Sequence, residues 1–234
     1  MQFWYKIKII YLVFTVSIIQ VGTIGFTQVK PVKNPATYRK QVGADSMQKM
    51  IEIKAFIPNI IYDLRYATEN NFTHTRLYKN GDATFLRLPV AVALKKVQKE
   101  LNEKGYGLKV FDAYRPYAVT KKMWDLIHDD RYVADPAKGS GHNRGLAIDL
   151  TIVSLEDRNE LNMGTGFDNF TDTAHHIFKD LPVTVLQTRN LLKQIMEKYG
   201  FKALETEWWH YSWPNDRNYE VLDLDFKKLK KYSY

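Results

Sequence analysis

One stretch decides the fold of this chain: Ser140-Gly141-His142-Asn143-Arg144-Gly145-Leu146-Ala147-Ile148-Asp149. Its second half alternates as a β-strand does, and the alternation continues past its end through Leu146, Ile148, Leu150 and Ile152. Asp149 points to the face opposite these apolar side chains. A lone carboxylate inside such a strand costs several kcal/mol unless it is paired or bound to a metal. The sequence therefore predicts a partner for Asp149.

His142 is the first candidate partner, because the glycine-containing loop can fold it back toward the strand. A His and an Asp brought together in this way supply two of the three protein ligands of a hydrolytic zinc site, whose fourth position stays open for water. A second segment, Glu207-Trp208-Trp209-His210, offers another His and a spare carboxylate. Residues three apart on a regular strand face opposite sides, so Glu207 must lie at the strand entrance to share a site with His210.

Each of these features also has a purely structural interpretation. A buried Asp is often a salt-bridge partner, and a Trp-Trp-His strand is often core packing, because buried polar groups serve structure as well as function. A zinc site needs only three protein ligands, and the neighbours His175 and His176 diverge on any regular element. We therefore interpret four histidines as non-ligands: His74, His128, His175 and His176.

Length and composition limit the kinds of protein that this chain can be. Its 234 residues suffice for one compact domain with a hydrophobic core, and a hydrophobic fraction of 45% excludes a disordered chain. The chain has no cysteine, which excludes disulfides, thiolate metal sites, a cysteine nucleophile and a lipobox-type anchor. Any metal must therefore be held by His, Asp or Glu.

The net charge of +8 is spread along the chain, with one dense basic run at Lys227, Lys228, Lys230 and Lys231. We interpret this run as a solvated tail in preference to a site for anionic envelope polymers, because charge runs usually face solvent. No nucleic-acid-binding motif is visible, so no nucleic-acid partner is predicted.

The N-terminus has the pattern of an export signal. Lys6 and Lys8 precede an apolar run from Ile9 to Ile19, and a small, polar stretch follows. The run is shorter than the ~20 residues that a spanning helix needs. We predict residues 1–27 as a signal peptide or an uncleaved anchor, with no stable membrane span after cleavage. Residues 28–46 are predicted as a linker or arm, and residues 47–234 as the folded domain.

Helical and strand patterns alternate along the folded domain without a strict βαβ rhythm. Pro89 opens an amphipathic helix that Gly105 ends, and Gly200 closes a later helix. Leu108–Phe111 and Glu207–Trp213 are typical of strands. The sequence predicts a single α+β domain with a central antiparallel or mixed sheet and flanking helices.

The Ser-x-His-x-x-Gly-x-Ala-x-Asp pattern of Ser140–Asp149 and the later Glu-x-x-His resemble the zinc D,D-peptidases of the peptidase M15 type. Within them the chain is most similar to the D-alanyl-D-alanine dipeptidase (VanX-like) branch. The matching blocks follow one another in order between Phe56 and Tyr211. Besides the two segments above they are Tyr62–Thr68 with Asn70–Thr73, Asp112–Pro116, and Met163–Asp168.

The resemblance implies an M15/hedgehog-like zinc peptidase fold and one Zn²⁺ per chain, held by His142, Asp149 and His210. Glu207 would act as the general base and acid. Arg115 would stabilise the oxyanion, and the proline after it keeps its backbone extended and rigid. General chemistry supports the role of Arg115, because a cation beside the anionic tetrahedral intermediate stabilises the transition state more than the ground state.

The resemblance also implies a substrate, a small D-amino-acid dipeptide. Asp168, with Tyr66 nearby, would receive its ammonium group, and Ser140 would line the site. The expected function is hydrolysis of D-alanyl-D-alanine or a similar dipeptide. Two alternatives stay open: a D,D-carboxypeptidase or endopeptidase on longer peptidoglycan peptides, and a zinc-binding module without catalysis. The intact Glu207 and Arg115 argue against the module.

The predicted export signal departs from the family pattern, because the VanX-like resistance enzymes act in the cytoplasm. An enzyme of the periplasm or cell envelope that trims peptides released by wall turnover agrees better with this chain than one of glycopeptide resistance.

Overall fold

The computed structural model describes residues 29–79 and 81–233, so the predicted leader, residues 1–27, lies outside the described residues. Within those ranges, none of the helices has both the length and the apolar character needed to cross a membrane.

Strands in the described residues form a large and a small sheet. Their bounds are β1 Met50–Glu52, β2 Ile61–Tyr62, β3 Phe85–Arg87, β4 Tyr106–Asp112, β5 Ala147–Ser154, β6 Lys202–Leu204 and β7 Glu207–Ser212. The large sheet has the order β2-β4-β5-β7-β6, with β2 parallel to β4 and every other neighbouring pair antiparallel. Strands β1 and β3 form an antiparallel pair of their own. The predicted antiparallel or mixed sheet is thus confirmed as a mixed one.

Helices flank the sheets, as predicted. Their bounds are α1 Pro35–Ala44, α2 Ile53–Phe56, α3 Leu88–Glu103, α4 Tyr117–Ile127, α5 Gly141–Arg144, α6 Val183–Lys198 and α7 Phe226–Lys230. Pro89 lies in the first turn of α3, where a missing backbone N–H leaves no hydrogen bond unmade. The predicted apolar stripe of α3 is fully buried: Val90, Leu94, Val97 and Leu101.

Strand β5 is the centre of the large sheet, between β4 and β7. Its residues are buried from Ala147 to Val153, which means that protein covers both faces of this strand. The main hydrophobic core includes residues of α3, α6 and the large sheet. A second core cluster joins α1, α4 and α7 and includes Tyr38 and Met50. The site described below lies on the central strand of this frame.

Residues 29–46, which the sequence predicts as a linker or arm, contain helix α1 and pack along the domain. Tyr38 is buried, and its hydroxyl accepts a hydrogen bond of 2.7 Å from the backbone N–H of Met50. Ahead of the helix, Val32 forms a parallel bridge to Leu222. The backbone N–H of Leu222 in turn donates to the carbonyl of Asn143, at 2.9 Å, inside helix α5. The arm thus supports the segment that holds α5.

Candidate active site

The structure brings His142, Asp149 and His210 together, each from a different element. Asp149 on β5 and His210 on β7 are paired in the antiparallel register, and His210 Nδ1 lies 2.9 Å from Asp149 Oδ1. His142 on α5 places its Nε2 3.2 Å from His210 Nδ1 and 3.4 Å from Asp149 Oδ2. One ligand atom from each residue lies within 4.8 Å of the other two. Two imidazoles and a carboxylate are a donor set that suits zinc.

Helix α5 holds His142 through a reciprocal cap. The Ser140 hydroxyl accepts a hydrogen bond of 3.2 Å from the backbone N–H of His142, and the Asn143 side chain accepts one of 2.9 Å from the N–H of Ser140. Gly145 ends the helix with a φ of +69°, a conformation that costs glycine little. The glycine turn predicted to fold His142 back toward the strand is therefore present.

A hydrogen bond at Nδ1 of His142 determines which ring nitrogen faces the site. His142 Nδ1 lies 2.7 Å from the backbone carbonyl oxygen of Ala113, which can only accept a hydrogen bond. The proton therefore resides on Nδ1, and the lone pair of Nε2 faces Asp149 and His210. Metal-binding histidines are oriented by this kind of second hydrogen bond, so the geometry fits a metal ligand.

Glu207 shares the site with His210, as the Glu-x-x-His spacing required. It is the first residue of β7, where the pairing with β6 shifts: Ala203 pairs with Tyr211, but Leu204 pairs with Glu207. This irregularity removes the alternation of a regular strand, and Glu207 Oε2 lies 4.0 Å from His210 Nδ1. Glu207 is 6% exposed. Burial first, and then the Asp149 and Asp168 carboxylates, raise the pKa of Glu207 well above its ordinary value.

Arg115 is held at the edge of the same site by Asp112. Arg115 Nε donates to Asp112 Oδ2 at 3.0 Å. Its Nη2 forms an ion pair with the same oxygen at 2.9 Å and lies 3.9 Å from Asp149 Oδ2. The hydroxyl of Tyr78 donates to the other oxygen of Asp112 at 2.7 Å. The sequence analysis did not identify Asp112 and Tyr78 as parts of the site. The signal for Asp112 was its place in the matching block Asp112–Pro116, whereas nothing near Tyr78 in the sequence points to it.

Tyr66 and Asp168 are neighbours, as the resemblance implied. The Tyr66 hydroxyl donates to Asp168 Oδ1 at 2.9 Å, and the Arg115 guanidinium carbon lies 5.1 Å from the centre of the Tyr66 ring. The second oxygen, Asp168 Oδ2, is buried and has no hydrogen-bond partner among the described residues. Burial raises the pKa of Asp168 to about 7. A buried carboxylate oxygen without a partner is a site for a donor from a ligand.

All eight predicted site residues line one cavity of about 220 Å³. They are Tyr66, Arg115, Ser140, His142, Asp149, Asp168, Glu207 and His210. Ser140 thus lines the site and caps α5 as well. The volume is below the roughly 300–1,000 Å³ typical of pockets for drug-sized ligands, so the cavity fits a small molecule.

Aromatic residues that the sequence analysis missed form one wall of the cavity. Tyr132 and Phe170 have ring centres 4.7 Å apart, and Phe72 lies 5.3 Å from Phe170. Phe72 belongs to the Asn-Phe-Thr block, but the spacing of the three residues along the chain gives no sign that they meet.

The remaining histidines lie away from this cavity. Across residues 29–79 and 81–233, the group of His142, Asp149 and His210 is the only cluster of His, Asp or Glu with the geometry of a metal site. His175 and His176 have buried Nε2 atoms without hydrogen-bond partners among the described residues.

Comparison with known proteins identifies the family. A family model described as D-ala-D-ala dipeptidase, of the peptidase M15 family, matches residues 46–229. The D-alanyl-D-alanine dipeptidase of Escherichia coli is 33% identical over 178 residues, which cover 76% of this chain and 91% of that protein. The D-alanyl-D-alanine dipeptidase of Enterococcus faecalis is 31% identical over 170 residues, which cover 64% of this chain and 84% of that protein.

Among solved structures, the LdcB LD-carboxypeptidase is similar at a TM-score of 0.39 and 22% identity, over 67% of this chain and 75% of that one. The family match extends over most of the described chain, and it includes every residue of the cavity named above. The chain belongs to the peptidase M15 family of D-Ala-D-Ala dipeptidases.

Proposed function

We propose that this protein is a zinc-dependent dipeptidase that hydrolyses D-alanyl-D-alanine or similar small D-amino-acid dipeptides. One observation carries the proposal. A His-Asp-His metal site and a buried carboxylate oxygen without a partner, Asp168 Oδ2, line the same small cavity. The first can support hydrolysis, and the second can hold the free ammonium group of a short peptide.

The metal would be one Zn²⁺ per chain, held by His142 Nε2, Asp149 and His210. Bound there, zinc lowers the pKa of water and polarises a carbonyl group, which is the chemistry that peptide hydrolysis needs. The fit rests on the donor set and on the hydrogen bond from His142 Nδ1 to the Ala113 carbonyl.

Glu207 is the proton carrier of the proposed reaction. It takes a proton from the attacking water and passes it to the leaving amine, while the water oxygen bonds to the carbonyl carbon and the C–N bond breaks. A carboxylate with a raised pKa is better suited to accept a proton near neutral pH than one with its ordinary value. Burial and the nearby Asp149 and Asp168 carboxylates shift the pKa of Glu207 in this direction.

Arg115 would stabilise the negative charge that develops on the carbonyl oxygen. Its hydrogen bond to Asp112 and its ion pair with the same carboxylate leave the guanidinium fixed beside the metal ligands, close to Asp149. A preorganised cation of this kind does not need to reorient during the reaction, which is the source of its effect on the rate.

Asp168 would bind the ammonium group at the start of the dipeptide. Its Oδ1 is occupied by the Tyr66 hydroxyl, which leaves Oδ2 for the substrate. A longer wall peptide, whose corresponding nitrogen is an amide, has no charge for this carboxylate. This difference supports a dipeptidase over the carboxypeptidase or endopeptidase alternative.

We also propose that the protein is exported and acts in the periplasm or cell envelope on peptides from wall turnover. The support is the pattern of Lys6, Lys8 and the apolar run Ile9–Ile19. N-terminal sequencing of protein from the native envelope tests this proposal, and an intact Met1 in a cytosolic fraction would refute it.

The activity is tested with zinc-loaded protein and three substrates: D-Ala-D-Ala, L-Ala-L-Ala and a wall pentapeptide that ends in D-Ala-D-Ala. We expect rapid cleavage of the first alone. Faster cleavage of the pentapeptide would establish the carboxypeptidase alternative instead. Bound zinc without cleavage of any substrate would indicate a binding module.

A further inference from the structure

Arg189 is a buried arginine on α6 that contacts the loop carrying Asp168. It is 4% exposed, and its guanidinium donates to three backbone carbonyl oxygens. Nε lies 2.7 Å from the oxygen of Met163, Nη2 lies 3.0 Å from that of Thr173, and Nη1 lies 3.2 Å from that of His175.

The three carbonyls bracket the Asp168 loop, which we define as residues 163–175. Met163 stands at its start, and Thr173 and His175 stand at its end. A single planar group therefore joins the two ends of the loop. Between these ends, Asp168 has a φ of +59°, a left-handed conformation that is uncommon for residues other than glycine and that aspartate and asparagine tolerate better than most. The hydrogen bonds of Arg189 and the left-handed backbone of Asp168 therefore belong to the same loop.

Arg189 has no carboxylate partner among the described residues, and its guanidinium donates hydrogen bonds to three backbone carbonyl oxygens. Burial of an unpaired guanidinium opposes folding, and burial lowers the pKa of Arg189 accordingly. An apolar side chain would fill the same space without this cost. The arginine is therefore explained by what its hydrogen bonds hold in place.

A second contact holds the middle of the loop against the sheet. The Trp208 indole N–H donates to the Thr165 hydroxyl at 2.8 Å, and the ring of Phe167 stacks on that of Phe111, with centres 4.8 Å apart. Trp208 follows Glu207 in the chain. The loop is thus fixed from both sides by contacts outside the cavity, while Tyr66 holds the Asp168 carboxylate from within it.

We propose that Arg189 is a positioning residue for the recognition of the substrate's free N-terminus. It acts through Asp168, because it fixes the loop that sets the direction of the Asp168 carboxylate, and it does not touch the substrate. This inference rests on the proposed function, since it assumes that Asp168 binds the ammonium group of the dipeptide.

Lysine cannot replace arginine in this role. An ammonium group is a single point with flexible donors, whereas the guanidinium presents a rigid fork whose nitrogens reach three fixed acceptors at once. Arg189→Lys keeps the positive charge and removes the fork. This variant therefore separates the effect of the three hydrogen bonds of Arg189 from the effect of its charge.

The main experiment is a double-mutant cycle of Arg189→Lys and Asp168→Asn, with D-Ala-D-Ala and N-acetyl-D-Ala-D-Ala as substrates. Asn tolerates the left-handed backbone as well as Asp does, so Asp168→Asn removes the charge and leaves the loop conformation accessible. In the wild type we expect the free dipeptide to be strongly preferred. Arg189→Lys should raise its KM about tenfold or more, the size expected when one charge-assisted hydrogen bond is lost.

The effect should fall on KM far more than on kcat, and the acetylated dipeptide should be cleaved at the wild-type rate. In the Asp168→Asn background, Arg189→Lys should raise KM little further, because the group through which it acts is already gone. Independent, multiplying effects of the two substitutions would overturn the proposal. No effect of Asp168→Asn on the preference for a free N-terminus would refute ammonium recognition by Asp168, and this inference with it.

Two readouts do not depend on turnover. Hydrogen exchange at the backbone amides of residues 163–175 should be faster in Arg189→Lys, with exchange elsewhere unchanged. Zinc content should equal that of the wild type. A parallel loss of zinc, of activity on both substrates and of protection across the whole domain would show that Arg189 only supports the fold.

Arg87 provides a matched control, because it is also a buried arginine that donates to backbone carbonyls. Its Nε lies 2.8 Å from the oxygen of Arg144 and its Nη2 lies 3.2 Å from that of Glu220, next to helix α5. Arg87→Lys should lower zinc affinity, because α5 carries His142, and should leave the preference for a free N-terminus intact. The same selectivity loss in both variants would contradict the proposal.

Thr165→Val keeps the inference testable if Arg189→Lys fails to fold. It removes the hydrogen bond from Trp208 and loosens the same loop from the other side. We expect a smaller rise in KM for D-Ala-D-Ala, again absent in the Asp168→Asn background. An unchanged KM in Thr165→Val would count against positioning by the loop.

Discussion

Asp149 and His210 face each other directly across two antiparallel strands, with 2.9 Å between Oδ1 of the one and Nδ1 of the other. A shift of β7 by one residue would turn His210 to the opposite face of the sheet, because side chains alternate along a strand. The metal site and the packing of the large sheet therefore depend on the same register. His142 is the exception, since a capped helix delivers it to the site.

Replacing His210 with alanine tests the proposed ligand set. We expect His210→Ala to lose bound zinc and D-Ala-D-Ala hydrolysis together, because it removes one of three protein ligands. The measurement is metal content by mass spectrometry beside the rate. The control is His128→Asn, since His128 is exposed and has a φ of +48°, which asparagine tolerates. Retained zinc in His210→Ala would remove His210 from the ligand set.

Glu207→Gln should separate metal binding from catalysis. The change keeps the size of the side chain and removes the base, so zinc should stay bound while kcat falls by the ~10²–10⁴ typical of a lost general base. Metal content and kcat measured on the same preparation check this expectation. Full activity in Glu207→Gln would end the proposed mechanism.

Arg115→Lys should lower kcat with little change in zinc content. The lysine keeps the charge but cannot make both the hydrogen bond and the second ion-pair contact with Asp112, so the cation is no longer fixed beside the developing oxyanion. Loss of one such stabilising group typically costs ~10²–10³ in kcat. Arg131→Lys is the matched control, because Arg131 lines the same cavity but is largely exposed. Equal losses in the two variants would argue against a special role for Arg115.

The free energy of unfolding should fall as the pH is lowered from about 6.5 to about 4, in part through His176. Burial, and then the positive charge of Lys193, lower the pKa of His176 to about 4. In this window the unfolded chain binds a proton at His176 and the folded chain does not, so protonation favours unfolding. The stability that neutral, buried His176 contributes is fully present above the unfolded pKa of 6.5. It is lost as the pH falls toward about 4, the pKa of His176 in the folded chain.

The difference between the wild type and His176→Gln isolates this contribution, because every other titrating group is common to both. Urea denaturation at pH 7 and pH 5 should show a larger loss of stability in the wild type than in His176→Gln. A loss of the same size in both proteins would show that His176 does not titrate in this way.

The sequence predicts those parts of the site that lie within short motifs. His142 and Asp149 are joined by one glycine-containing turn, and Glu207 and His210 belong to one short segment, so each pair lies within a single motif. The resemblance to the family joined the two pairs into one site. The mixed sheet and the helix after Pro89 follow from periodicity in the same way. The comparison with known proteins bears out the family and the fold.

The parts that the sequence could not predict depend on contacts between distant segments. Asp112 holds Arg115 from within its motif, but Tyr78 reaches Asp112 from far upstream. In the sequence, Arg189 is only one polar position of an amphipathic helix. Its partners are backbone carbonyls, which every residue type has, so the sequence does not indicate these contacts. The helix of the arm is missed for a similar reason: its amphipathic pattern is weak, and its burial depends on Tyr38 meeting Met50.

The bridge between Val32 and Leu222 has a consequence for the synthesis of the protein. The ribosome makes Val32 long before Leu222, yet each needs the other for pairing. Leu222 is also the residue whose backbone N–H supports Asn143 in helix α5. Contacts of such long sequence separation form late in folding, because the intervening chain must first be ordered. A chain translated only as far as His142 therefore holds it without this outer support, and the catalytic pocket is completed only after Leu222 has been made.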